Sequence, residues 1–434
     1  MVSAGNARNG QPLVKLGFRS LRAHDVHQGL QFAGIDRSSG IVGQQLEATQ
    51  YIGMAAALAT AIKGLDVIDG SQLKQVADYQ LDIPTFGFDR VVGILEELEY
   101  VRNVTRDGAG RIRQLYETVP ENFSRLYENL DQAYARRDPG EIESSLVAAI
   151  DDLSLGPRLV ADLEIDPAAR KAVLELGEAA EAIKVVTIRG EAVAHSPYFA
   201  YEHPELVSDA LTQLDVAQVR AAFERVREHQ GERVASGPND VLNQLIAAGL
   251  MAGPSVANPS GIVVPFAVAP YGLPPDLLTV KKSLLDKAMA ILASVRMGET
   301  EGGMTNLVYP HAFLRKLRDS DQIVGRHSST QRQYSVLRQM GIVHFVGTGE
   351  RKGMQLIDTN DNKAAVNIAL DFLIYGEAAK SKEAKADAAG TTIDAEGNYR
   401  SPIQAIRPAR KRAGQVRMTF ADLIESAMGR RPVD

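Results

Sequence analysis

Residues 334–357 read YSVLRQMGIVHFVGTGERKGMQLI, and their hydrophobic period changes halfway along. Val336, Leu337 and Met340 fall at helical spacing, with Arg332 and Arg338 on the other side. From Ile342 the run Ile-Val-His-Phe-Val has the apolar, β-branched character of a strand. The polar turn Gly347-Thr-Gly-Glu-Arg-Lys-Gly353 interrupts it, and Met354-Gln-Leu-Ile returns as a second strand. A helix that feeds directly into a glycine-rich, basic hairpin restricts this part of the chain to a small helix-plus-hairpin module.

The construction recurs. VVGILEELEYVRNVTRDGAGRIRQLYETV has a helix through Leu95 and Leu98, a strand over 101–104, a turn over 106–111 and a return over 112–119. DVLNQLIAAGLMAGPSVANPSGIVVPFAVA gives a looser third version, with Leu242 and Leu245 on the helix and an uncharged turn over 257–261. Upstream of the first hairpin, 44–63 is alanine-rich with good helical propensity, and 71–80 can form a second helix with Ser71 as its expected N-cap. Self-similarity without a fixed period points to a reused module rather than a solenoid.

The module resembles the winged helix-turn-helix superfamily in its N-terminal and C-terminal copies, about 70 residues each, and less closely in the middle one. The resemblance implies three packed helices, the third entering the DNA major groove, and a β-hairpin wing against the backbone or minor groove. In the C-terminal copy it makes 284–296 the first helix, 311–318 the second, 329–340 the recognition helix and 347–353 the wing tip. In the N-terminal copy the corresponding helices are 50–63, 72–80 and 88–98. The expected fold class is therefore mainly α with small β-hairpin wings, a multi-module chain of tandem winged-helix units around a helical middle.

Phosphate contact rewards Lys and Arg, and base reading needs long donors on an exposed helix face. The C-terminal copy has both: Gln331, Arg332, Gln333 and Arg338 on the helix, and Arg351 with Lys352 on the wing. Ser328, Ser329 and Thr330 stand where a helix start offers amides to a phosphate. The N-terminal copy carries Glu96, Glu97 and Glu99 on its third helix, which repel phosphate, beside a basic wing with Arg102, Arg106, Arg111 and Arg113. That copy suits protein contact as well as DNA, and the uncharged middle copy reads as structural. Farther on, Arg410, Lys411 and Arg412 lie in a basic tail of the kind that adds salt-sensitive, sequence-independent affinity.

Charge is segregated along the chain. Residues 120–235 hold 12 Lys/Arg against 22 Asp/Glu, whereas 311–353 hold 8 against 3 and 400–431 hold 8 against 2. Local fields of this kind are hidden by the net charge of -6. The expected organisation is an N-terminal segment of unassigned fold (1–43), a winged-helix unit (44–120), an acidic helical region (121–235), a degenerate unit (236–275), a basic unit (276–375), a linker (376–399) and a basic tail with a short amphipathic helix (400–434).

Several function classes lose their support. The chain has no Cys, which removes disulfides and thiolate chemistry. No P-loop, Gly-x-Ser-x-Gly elbow or His-Glu-x-x-His pattern occurs. His24 and His27 with Asp25 have the makings of a metal site, although such pairs are more often incidental. His195 and His203 bracket the aromatic loop HSPYFAYEH, which anchors onto a helical core more simply than it builds a pocket. The start lacks the apolar core of a secretory signal and no apolar run reaches membrane-spanning length, so a cytoplasmic location is expected, nucleoid-associated if the chain binds DNA. The leading expectation is a non-catalytic protein that binds double-stranded DNA, without cofactor or metal: a transcriptional regulator or part of a DNA-maintenance or defence complex. The acidic region would then recruit a protein partner or set a homo-oligomer. The rival expectation is an interaction scaffold whose winged helices hold partner subunits and never touch DNA.

Overall fold

The first described element, α1 (Arg19–Ala33), falls in the segment whose fold the sequence leaves unassigned. Its residues 20–30 are all buried, so it has no polar face to contrast with an apolar one, and hydrophobic periodicity cannot reveal it. Its polar side chains are satisfied from distant parts of the chain, as buried polar groups must be. The Ser20 hydroxyl donates to the Tyr127 carbonyl at 2.6 Å, and Arg22 reaches Asp25 at 3.1 Å and Asp151 at 3.3 Å. His24 Nδ1 lies 2.8 Å from the Tyr127 hydroxyl, and His27 Nε2 donates to the Leu81 carbonyl at 3.0 Å.

This computed structural model describes residues 19–33, 45–122, 125–197, 206–235, 237, 240–258, 260–269, 282–300, 306–319 and 321–375. They are mostly helical, with small antiparallel sheets. After α1 the chain builds one arrangement four times. The first unit comprises α2 (Glu47–Ile62), β1 (Val67–Asp69), α3 (Gly70–Leu81), α4 (Phe88–Glu97), β2 (Val101–Arg106) and β3 (Ile112–Glu117). β1 and β2 both pair antiparallel with β3, which is therefore central, with Val67 opposite Tyr116 and Val101 opposite Glu117. α5 (Leu126–Ala135) then packs back on α1 and α2.

The second unit has α6 (Glu141–Leu153), β4 (Arg158–Leu159), a 3-10 turn, α7 (Pro167–Ala179), β5 (Lys184–Ile188) and β6 (Glu191–His195), in sheet order β4-β6-β5. α8 (Val207–Gln213) leads to the third: α9 (Val216–Glu228), β7 (Glu232–Arg233), α10 (Val241–Ala247), β8 (Ser255–Ala257) and β9 (Val263–Ala267), in order β7-β9-β8. The fourth has α11 (Lys282–Thr300), α12 (Pro310–Arg318), α13 (Thr330–Gln333), α14 (Ser335–Gln339), β10 (Val343–Val346), β11 (Gly353–Leu356) and α15 (Asn360–Tyr375). There Val324 bridges antiparallel to Met354, so β11 again lies between a short strand position and the first hairpin strand.

The acidic stretch 121–235 is thus more than helical. It holds the whole second unit and the opening of the third, where the sequence shows only one strand-like insert at 185–189. β4 and β7 are two residues long, too short for alternation to register, and they exist only because a hairpin strand lies beside them. The expected boundary at 236 likewise separates α9 and β7 from the hairpin that β7 joins.

Helix starts follow local chemistry. Asp69, Asp166, Asp215 and Asp240 each accept backbone amides at a helix N-terminus. The cap of α3 is Asp69 and not Ser71, because the Asp69 carboxylate reaches both the Ser71 and Gln72 amides. Neighbouring units share cores. α1 gives Leu21 and Ala23 to the first unit's core and Val26 and Leu30 to the second's. Ile188 and Val193 of the second sheet pack with Phe223 and Leu245 of the third unit. Val256 and Phe266 of the third unit pack with Ala293 and Met297 on α11. Where α1 meets α7 the backbones approach so closely that a Cβ on Gly29 would fall 1.7 Å from the Ala180 carbonyl oxygen.

Candidate nucleic-acid interface

α12 starts at Pro310, turns Phe313, Leu314 and Leu317 into the core and leaves Arg315 and Lys316 in solvent. The chain then crosses to the sheet at Val324 and enters the segment expected to form one recognition helix. It forms two short helices instead, α13 and α14, that meet at Tyr334. Tyr334 is buried, its ring stacked on Phe313 at 5.6 Å and edge-on to His327 at 6.1 Å. Burial pushes its hydroxyl pKa up and keeps it protonated. The backbone at Tyr334 leaves helical geometry, with φ −109° and ψ 19°, while its amide still donates to the Thr330 carbonyl at 3.0 Å.

The same inward turn removes two candidate DNA-contacting residues. Thr330 and Gln333 are both fully buried. The Thr330 hydroxyl accepts from the His327 amide at 3.1 Å and faces the carbonyl oxygens of Gly325 and His327. The Gln333 amide donates to the Tyr334 hydroxyl at 3.0 Å, beneath α11 at Gly298, where a Cβ would come within 2.7 Å of Gln333 Nε2. Both side chains anchor the segment to its own unit. Of the expected helix-start amides at Ser328–Thr330, that of Thr330 donates to the His327 carbonyl at 3.3 Å, and α13 is only four residues long.

The other candidates in this unit remain at the surface. Gln331, Arg332, Arg338 and Arg351 are exposed and Lys352 is half-buried. The Arg338 guanidinium lies 5.8 Å over the Phe345 ring, which brings the end of α14 to the base of the hairpin. Among the described residues no carboxylate pairs with Arg338, Arg351 or Lys352, nor with exposed Arg315, Lys316 and Arg326. Those last three are missing from the candidate set read from sequence, although the run RKLR at 315–318 is the signal for Arg315 and Lys316.

The first unit presents the opposite electrostatics. Arg106 pairs with Glu96 at 3.1 Å, Arg102 with Glu99 at 3.8 Å and Glu121 at 3.7 Å, and Arg113 with Asp107 at 3.8 Å. Glu97 is met by Arg136 at 2.7 Å and Arg137 at 3.5 Å. Carboxylates and hairpin cations that look antagonistic in sequence therefore pair with one another; Arg111 stays exposed at the turn. The third hairpin carries Ile262 and Val263 exposed at 63% and 64% and no charge at its tip. Arg410, Lys411 and Arg412 lie outside the described residues, as do Tyr198, Phe199, Tyr201 and His203.

The histidines of α1 are core residues. Burial alone lowers the His24 pKa to about 3, so the ring is neutral, and Asp25 is spoken for by Arg22. His195 is lowered to about 4 by burial and by Lys184, with Nε2 3.2 Å from the Ser208 hydroxyl. Among the described residues no group of three or more His, Asp or Glu is placed to hold a metal ion, and no helix is long and apolar enough to cross a membrane. A cleft of about 440 Å³ lies between β4, β6 and α9, but Arg158 and Arg220 at its wall both close on Asp152, at 2.5 and 2.8 Å. Comparison with protein-family models, with curated proteins and with solved structures gives no match.

Proposed function

We propose that the chain is a non-catalytic protein of tandem winged-helix units that binds double-stranded DNA through the fourth unit, as a regulator or a DNA-maintenance component. The observation that carries this reading is the contrast in charge pairing. In the first unit Arg102, Arg106 and Arg113 of the hairpin are matched by its own carboxylates, and Arg111 is left exposed. The fourth unit leaves Arg338, Arg351 and Lys352 without a described carboxylate partner, on a hairpin and the helix that leads into it. Unmatched cations on adjoining exposed elements attract a polyanion by releasing its counterions.

The test replaces Arg332, Arg338, Arg351 and Lys352 together by alanine and measures duplex affinity by fluorescence anisotropy at low and moderate salt. Binding should weaken and become less salt-dependent. Unaltered affinity would move the contact away from this unit. The paired charges of the first unit favour a second role there, contact with a protein subunit. Pull-down after nuclease digestion tests it, because partners held through the first unit survive loss of DNA.

A further inference from the structure

Resting on that reading, we infer that the fourth unit recognises the duplex backbone and not its base sequence. The segment that would enter the major groove is split into helices of four and five residues. At a rise of 1.5 Å per residue they span only about 6 and 7.5 Å. Four of its side chains, Thr330, Gln333, Tyr334 and Leu337, are buried. Long donors left at its surface are Gln331 and Arg332 on one short helix and Arg338 and Gln339 on the other. Arg338 is drawn back over Phe345 toward the hairpin, away from free extension into a groove.

Bidentate base reading needs a side chain held square to a base edge, and usually several such side chains from one helix face. In this segment the backbone departs from helical geometry at Tyr334, between its two pairs of exposed donors. Its exposed cations are instead spread over α12 (Arg315, Lys316), the loop before α13 (Arg326), α14 (Arg338) and the wing (Arg351, Lys352). Charges scattered over separate elements match the repeating phosphates, which are the same in every sequence. The partner is therefore duplex DNA of any sequence, with affinity set by ionic strength.

The experiment uses the full chain and a pool of random-sequence duplexes. Selection over several rounds is followed by anisotropy on individual members at graded salt. Members before and after selection should bind within about tenfold of each other, against the factor of roughly 10³ or more that separates specific from non-specific binding in a sequence reader. The variant with alanine at Arg332, Arg338, Arg351 and Lys352 should lose affinity by one common factor on all members. Its log-log salt slope should fall by roughly 3 to 4, at about 0.9 per lost phosphate contact. Enrichment of a motif bound about a hundredfold tighter than the pool would overturn the inference and leave DNA binding standing. Absence of binding to any duplex at low salt would overturn the underlying reading as well, and so would a quadruple variant indistinguishable from the parent chain.

Discussion

Gln331 and Gln333 stand two residues apart and look equivalent in sequence, yet the structure assigns them opposite consequences on truncation. Gln333 is fully buried and donates to the Tyr334 hydroxyl at 3.0 Å. Gln333→Ala removes that hydrogen bond, a net loss of about 1 kcal/mol. It also removes a buried methylene, worth about 0.8 kcal/mol, and leaves a small void. The Gln333 side-chain oxygen Oε1 has no hydrogen-bond partner among the described residues, so its removal returns part of this. The sum is a local destabilisation of roughly 2 kcal/mol, equivalent to about 30-fold faster opening by hydrogen exchange. Mass-resolved exchange over peptides covering 325–340 should show that acceleration for Gln333→Ala and none for Gln331→Ala. Duplex affinity at low temperature, where the unit stays folded, should fall for Gln331→Ala more than for Gln333→Ala. A Gln333→Ala chain with unchanged exchange and weakened binding would refute the assignment of this side chain to the core.

Gly29→Ala should loosen α1 from α7, because its Cβ would meet the Ala180 carbonyl oxygen at 1.7 Å and the helices must separate; limited proteolysis should then cut within 19–33, and destabilisation should be at least the 1–3 kcal/mol usual for overpacking. Arg227 is buried and donates to the Leu155 and Ser154 carbonyls at 2.8 and 3.0 Å, at the C-terminal end of α6. Arg227→Met leaves both carbonyls unmet and removes a cation from a helix C-terminus, so unfolding in urea should shift by about 2–4 kcal/mol. His24 and His195 have pKa values lowered to about 3 and about 4, against 6.5 when unfolded. The unfolded chain binds more protons between those values, so their contribution is intact above pH 6.5 and is lost as pH falls toward 4 and then 3. Thermal melts across pH 7 to 4 should show this decline, blunted in a His24→Asn chain.

Elements with a strong local period are legible without tertiary information. The first unit's helices at 47–62, 70–81 and 88–97 and its hairpin fall within a few residues of their expected places, as do the strands 343–346 and 353–356. Each is written in neighbouring residues: apolar spacing, an aspartate cap or a glycine-rich turn. The candidate interface is legible only in its composition. The sequence shows that 311–353 is basic, and does not show which of its polar side chains face water.

What tertiary structure alone decides involves partners far apart along the chain. α1 has no amphipathic stripe because α2, α5, α6 and α7 enclose it, and its polar groups reach residues 81, 127 and 151. The second unit's sheet rests on a two-residue strand that has no pattern until β6 lies beside it. Thr330 and Gln333 turn inward beside Tyr334, which seats against Phe313 and His327, and Arg106 and Arg102 of the first hairpin are countered by Glu96 and Glu99. Local period determines that a helix or hairpin forms; the direction in which a polar side chain points is settled by whichever surface arrives to cover it.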